Sequence, residues 1–176
     1  MKSHMVLTAL LFVSSSTWAT AQEASREDFE EYCRTQQGRW VGEVRWMADW
    51  PGLGRKGDKV TCYWEGTRAA DGNVLTGTFY GGSGTARSLC YHDTDSKSIR
   101  EVMVTSGGTV WTSVVFRRGG VWVSKTSGSN PDGSKIETES TLTMTDNGNT
   151  ATWTGSGTVG GKKTEDQHDV WRRVGP

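Results

Sequence analysis

The stretch Gly38-Arg39-Trp40-Val41-Gly42-Glu43-Val44-Arg45-Trp46 alternates. Trp40, Gly42, Val44 and Trp46 fall on one side of an extended chain; Arg39, Val41, Glu43 and Arg45 fall on the other. A period of two marks a strand with one buried face. A helix-like segment precedes this strand, and strand-like segments joined by tight turns follow it. The stretch therefore reads as the founding strand of a closed antiparallel barrel, with Trp40 plugging its floor.

Upstream, Ser25 to Gln37 reads as the one helix. Ser25 is a candidate N-cap with Asp28 three residues on, and acidic residues fill the first turn. Phe29, Tyr32 and Cys33 share a face at helical spacing. Gly38 can end the helix at its C′ position. Such a helix would cover one end of the barrel.

Further upstream, Lys2, the apolar run from Met5 to Val13 and the small residues Ala19-Thr20-Ala21 read as a secretory signal peptide over residues 1–21. That leaves residues 22–176 as one domain, secreted or periplasmic, with no segment long enough to span a bilayer. The full chain has 20 basic and 20 acidic residues. Loss of Lys2 leaves a net charge of about −1, which gives no electrostatic case for nucleic acid or an anionic membrane. Of the 9 tryptophans only Trp18 falls in the leader. So many indoles in a small domain point to aromatic-lined surfaces or a pocket.

Downstream, Asp71-Gly72, Gly107-Gly108, Gly119-Gly120, Asn147-Gly148 and Gly160-Gly161 look like two-residue hairpin loops. With looser breaks at Ala48–Gly57, Gly81–Gly84, Asp93–Lys97 and Gly128–Ser134, they cut the chain into ten strands. The fold expected is all-β: a ten-stranded antiparallel up-and-down barrel, a meander, with the short N-terminal helix closing one end. Hairpin loops fix register. Asp71-Gly72 sets Trp64 opposite Phe79 and Gly66 opposite Gly77. Asn147-Gly148 sets Met144 beside Ala151 and Leu142 beside Trp153. Gly160-Gly161 sets Trp153 beside His168, which turns Asp166, His168 and Arg172 inward. Between Ser98 and Ser127 the faces are less separable: Ile99, Met103, Val114, Phe116 and Val123 share one with Glu101 and Lys125, which could form an interior ion pair. Closure brings the last strand beside Trp40, where Arg172 could stack on the indole.

Gly38-x-Trp40 opening a strand after a short helix, with Arg172-Arg173 ending the last strand, resembles the calycin superfamily of lipocalins, fatty-acid-binding proteins and their relatives. The overall pattern is similar to secreted lipocalin-like domains, which implies a fold and not a substrate. The longer Gly38-x-Trp40-x-Gly42 resembles the opening of nitrobindin-type haem barrels. Ala70 to Phe79 and Thr152-Trp153-Thr154-Gly155 resemble strand phrases of the avidins, whose eight strands and different spacing keep biotin binding from carrying over. The calycin resemblance makes Gly38, Trp40 and Arg172 structural. It also lets Arg172 anchor a carboxylate, as interior arginines do in fatty-acid carriers.

For chemistry, His168 stands out. An inward imidazole could ligate haem iron, contact a ligand or be satisfied in a polar core network. No cluster has zinc spacing, no metal is expected, and no nucleophile elbow or phosphate loop occurs. No cofactor is expected, haem being the one open alternative. The expectation is a binding protein for a small, mostly apolar or aromatic molecule, touched by Trp46, Trp64, Phe79, Met103, Trp153, Asp166, His168 and Arg172. Two alternatives stay open: a haem barrel or enzyme using His168, and a structural domain whose barrel is filled. The apolar loop Trp50-Pro51-Gly52-Leu53-Gly54 could be a lid, a contact surface or a loop folded onto the rim.

Three cysteines in an exported chain suggest one disulfide and one free thiol. The meander puts Cys62 opposite Gly81 at the top and Cys90 beside Leu75 at the floor. They are then roughly 20 Å apart, at ~3.3 Å per residue, beyond bridging distance. Cys33, on the helix, is the residue that reaches Cys90. The pair expected is Cys33–Cys90, with Cys62 free; three reduced thiols are the alternative.

Overall fold

The computed structural model describes residues 23–176; the expected signal peptide lies outside the described residues. The helix α1 spans Arg26–Gln36 and has the expected cap: Ser25 Oγ accepts from the Asp28 N–H at 3.1 Å, and the Asp28 carboxylate accepts from the Ser25 N–H at 2.8 Å. These bonds satisfy two donors that the first turn would leave open. Phe29, Tyr32 and Cys33 are its buried face.

The strands are β1 (Gly38–Arg45), β2 (Lys59–Ala69), β3 (Val74–Gly81), β4 (Gly84–Asp93), β5 (Ser98–Thr105), β6 (Val110–Arg118), β7 (Val121–Ser129), β8 (Lys135–Thr145), β9 (Thr150–Val159), the two-residue β10 (Lys162–Lys163) and β11 (Gln167–Gly175). Each of β1 to β8 pairs antiparallel with the next, β8 with β9, β9 with β10 and β11, and β11 with β1. Since β10 and β11 share one partner, they are a single interrupted stave, and the barrel is a closed ten-stranded meander. Among the described residues closure leaves only the two-residue β10 with an unpaired side. A meander barrel of this form with one capping helix is consistent with a calycin-like fold.

β1 alternates as its sequence demands, with Gly38, Trp40, Gly42 and Val44 buried. Gly42 is required by a neighbour: a Cβ there would stand 2.3 Å from the ring of Trp171 on β11. The first hairpins hold the expected register, with Trp64 opposite Phe79, Gly66 opposite Gly77, Cys62 opposite Gly81 and Cys90 beside Leu75. So does the pairing of β8 with β9, with Leu142 beside Trp153 and Met144 beside Ala151. The loops at Asp71-Gly72 and Asn147-Gly148 are one residue longer on each side than expected. Ala70, Asp71, Asp146 and Asn147 all have φ near +50°. Symmetric lengthening leaves the register unchanged.

The last strand differs. Lys162 and Lys163 pair with Val159 and Thr158, as a two-residue loop dictates, but Gln167 pairs with Gly155, one residue out of step. Thr164 to Asp166 bulge away to make other contacts. The Thr164 N–H bonds Gly157 O at 2.9 Å, Thr164 Oγ1 accepts from the Gly157 N–H at 3.0 Å, and the Glu165 N–H bonds Met47 O at 2.9 Å. One extra residue turns every later side chain to the other face. Asp169 therefore stands beside Trp153, and Gln167, Asp169, Trp171 and Arg173 face inward. Asp166, His168 and Arg172 are exposed, which corrects their expected interior placement.

The middle strands are also resolved. Ile99, Glu101 and Met103 face inward, and so do Trp111, Val115, Trp122, Ser124 and Thr126. Val114, Phe116, Val123 and Lys125 occupy the other face of their strands. Lys125 pairs with Glu139 at 3.9 Å, so no Glu101–Lys125 pair exists.

At the floor, Arg173 takes the part expected of Arg172. Its guanidinium lies 4.1 Å from the Trp40 ring centroid and bonds the carbonyls of Gln37, Arg34 and Gly148. Gly38, at φ +96°, leaves room for it: a Cβ there would lie 2.7 Å from Arg173 Nη1. At the top, the loop after β1 folds back. Leu53 is 2% exposed, its carbonyl accepts from the Ser83 N–H at 3.0 Å, and Trp50 meets Trp111 edge to face at 5.3 Å. Of the roles open to this loop, it takes the one folded onto the rim.

Cys33, Cys62 and Cys90 are all buried free thiols, so the Cys33–Cys90 bridge is not formed in this structure. Cys33 and Cys90 still share the helix-end cluster, while Cys62 lies in the loop-end cluster.

Candidate functional site

Two apolar clusters close the barrel at its ends. One gathers α1 residues around Trp40, Leu75 and Trp122; the other gathers Trp46, Trp50 and Leu53 around Cys62 and Ile136. Between them lies a cavity of about 270 Å³, reaching from Thr35 and Gln36 on α1 to Leu53 in the top loop. A further lobe of about 220 Å³ shares Glu101, Met103, Trp111 and Asp169 with it.

Its walls are aromatic. Trp40, Trp46, Trp64, Phe79, Trp111, Trp153 and Trp171 all border it, with Tyr32 at the helix end. Trp46 and Phe79 meet edge to face at 6.1 Å, and Phe79 and Trp171 lie 6.2 Å apart. Glycines make this possible. A Cβ on Gly77 would sit 1.9 Å from the Trp64 ring, so the small residue on β3 is what lets the indole of β2 lie flat across it. Trp64 is then held by its Nε1–H, which donates to Gln36 O at 2.9 Å.

Two carboxyl groups face this space. β5 and β11 are five staves apart in either direction around the barrel, so Glu101 and Asp169 project from opposite walls. Asp169 is 4% exposed and well held. The Arg45 N–H donates to its Oδ1 at 3.2 Å, and Gln167 Nε2 donates to its Oδ2 at 2.7 Å. Gln167 in turn accepts from Ser140 Oγ at 2.8 Å. Burial raises the Asp169 carboxyl above the usual range, against the pull of Gln167, the Arg45 N–H and nearby His168. Burial pushes Glu101 up to about 6, and the Ser88 hydroxyl offsets part of that. Glu101 keeps partial accessibility because it borders the cavity. Among the described residues neither carboxyl has an ion-pair partner. Among the described residues no lysine, arginine or histidine lines the main cavity.

Of the residues expected to touch a ligand, Trp46, Trp64, Phe79, Met103 and Trp153 border the cavity together; Asp166, His168 and Arg172 do not. His168 stands on the outer face, so an imidazole inside the barrel, for haem or for catalysis, is not what the strand presents. Sequence reasoning missed Asp169, Gln167 and Trp171, all on the displaced strand. It also missed Trp111, whose strand was ambiguous. Glu101, expected beside Lys125, faces the cavity without it, since Lys125 pairs with Glu139 on the outer face. Among the described residues no three His, Cys, Asp or Glu side chains converge as metal ligands, and no helix is long and apolar enough to cross a membrane. Burial raises the thiols of Cys33 to about 11 and Cys62 to about 12, with Cys90 raised further, so none is poised as a nucleophile. No protein-family model matches the chain, and no curated protein matches its sequence.

Proposed function

We propose that this chain is an exported binding protein that holds a small aromatic or mostly apolar molecule inside the barrel. The observation that carries the reading is the aromatic-walled cavity of about 270 Å³ between the two closed ends. Ligand pockets run from ~300 to ~1,000 Å³, and a cavity of ~150 Å³ suffices for benzene. The space thus suits one or two rings and is small for a bulky macrocycle. Its polar groups, among them Glu101, Ser124, Thr126, Gln167 and Asp169, would orient the ligand while the indoles supply contact area.

The test is native mass spectrometry of protein purified from its own source, with tryptophan quenching by a panel of small lipophiles. A retained small molecule, or saturable quenching by members of the panel, is the expected result. No retained mass and no quenching would leave the barrel a structural element.

A further inference from the structure

Among the described residues, Glu101 is the cavity carboxyl whose charge meets the least answer, a single hydroxyl from Ser88. Asp169, on the opposite wall, has both oxygens engaged by Arg45 and Gln167. The Glu101 carboxyl has no ion-pair partner among the described residues; none of them brings a basic side chain to the main cavity, and Arg45, which borders the side lobe, pairs with Glu165 at 3.5 Å. A carboxylate largely shielded from water, with one hydroxyl and no cation beside it, is costly. Nature's usual remedy is to neutralise it or to pair it, and the space in front of this one is open and lined by indole rings. Indole faces attract cations within ~6 Å of the ring centroid. Carboxylate and indole faces thus favour the same kind of guest.

We propose that the ligand is an organic cation, a protonated amine carried on an aromatic ring, with its ammonium on Glu101 and its ring among the tryptophans. Asp169 adds negative potential from the far wall and keeps anions out. This rests on the reading of the barrel as a binding cavity and narrows it to a charge class. The same field disfavours fatty acids and other carboxylates, the guests that an interior arginine would have welcomed. Arg173, the arginine that does turn inward, is committed to Trp40 and three carbonyls at the floor. Burial raises Glu101 only to about 6, so at neutral pH it is ionised and available.

The experiment uses three probes of nearly equal size: phenethylamine, phenethyl alcohol and phenylacetate. Each is titrated calorimetrically into the purified mature protein at about pH 7.5. A charge-assisted bond to a buried carboxylate is worth about tenfold or more in affinity. The amine is expected to bind at least about tenfold more tightly than the alcohol, with phenylacetate weakest. In Glu101→Gln the amine-to-alcohol ratio falls to about one. Equal or better binding of the alcohol or of phenylacetate overturns the cation inference and leaves the binding reading standing. An undiminished ratio in Glu101→Gln overturns the assignment of the ammonium to that residue. Failure of all three probes overturns the inference too; only silence of the lipophile panel as well removes the binding reading. The comparison of probes on the unmodified protein stands even where the variant fails to fold.

Discussion

Arg173 lies against Trp40 and reaches three backbone carbonyls, tying the end of β11 to the end of α1 and to the loop after β8. Burial lowers its affinity for its proton, as expected of a guanidinium taken partly out of water. Its neighbour Arg172 is exposed on the other face. Truncation should separate them. Arg173→Ala is expected to cost about 2 kcal/mol, from a lost cation–π contact and carbonyls left open. Arg172→Ala should stay within about 0.5 kcal/mol. Urea unfolding of the two variants measures this, and the reverse order would show that β11 lies in the other register. Glu101 makes a second prediction at this scale. A carboxyl whose folded value is raised holds its proton more tightly when folded. Between its ordinary value of 4.5 and about 6, the folded state keeps a proton that the unfolded state has released. Stability contributed there is full below that window and is lost as pH rises through it, by about 2 kcal/mol. Glu101→Gln should therefore melt higher than the parent at about pH 8 and at the same temperature near pH 4. A gain that did not depend on pH would mean that the buried charge is not its source. A residue that costs stability at neutral pH is what a binding site, rather than a core, contains.

At the scale of elements, what the sequence reveals and what it hides have separate physical causes. Ser25, Phe29, Tyr32 and Gly38 define α1, and the alternation from Gly38 to Trp46 defines β1, because in both one face is buried among apolar neighbours. Asp71-Gly72 and Asn147-Gly148 fix the register on either side, since glycine there serves a positive φ. The bulge at Thr164 to Asp166 carries no such mark. It is made by a threonine that bonds across to Gly157 and by a backbone N–H that finds Met47, a residue from the far end of the sequence. Hence hairpin register alone turns Asp166, His168 and Arg172 inward, whereas the bulge turns Asp169 and Trp171 inward in their place. The strands β5 to β7 hid their faces for another reason. Their inner face carries Glu101, Ser113, Ser124 and Thr126 toward a cavity, and their outer face buries Phe116 and Val123. Hydrophobic patterning reports burial against apolar neighbours and inverts where the interior is a polar-rimmed space. The cysteines test the registers that were legible. All three are buried with raised thiol pKa values, so iodoacetamide at about pH 8 is expected to label none in the native protein and all three in urea. If oxidation links any pair, it should be Cys33 and Cys90. A Cys62–Cys90 peptide would contradict the pairing of β2, β3 and β4.

At the scale of the molecule, the barrel divides packed ends from an open middle along its axis. Both ends are solid: α1, Trp40 and Arg173 at the floor, the docked loop with Trp50 and Leu53 at the top. The middle holds the space. A substitution that fills the middle should then remove binding without harming the fold, which is the opposite of what a core substitution does. Met103 is the place to try it, since it borders both lobes. In a well-packed core, Met103→Trp would cost about 1–3 kcal/mol by overpacking. Here the free volume of about 270 Å³ is larger than the ~150 Å³ that admits a benzene ring. The added indole should find room, so stability is expected to hold or to rise by up to about 1 kcal/mol. Binding of phenethylamine, followed by calorimetry, should fall below detection in the same variant. A stable Met103→Trp protein that still bound the amine at parental affinity would show that the guest sits elsewhere, and the cavity would lose its claim to be the site.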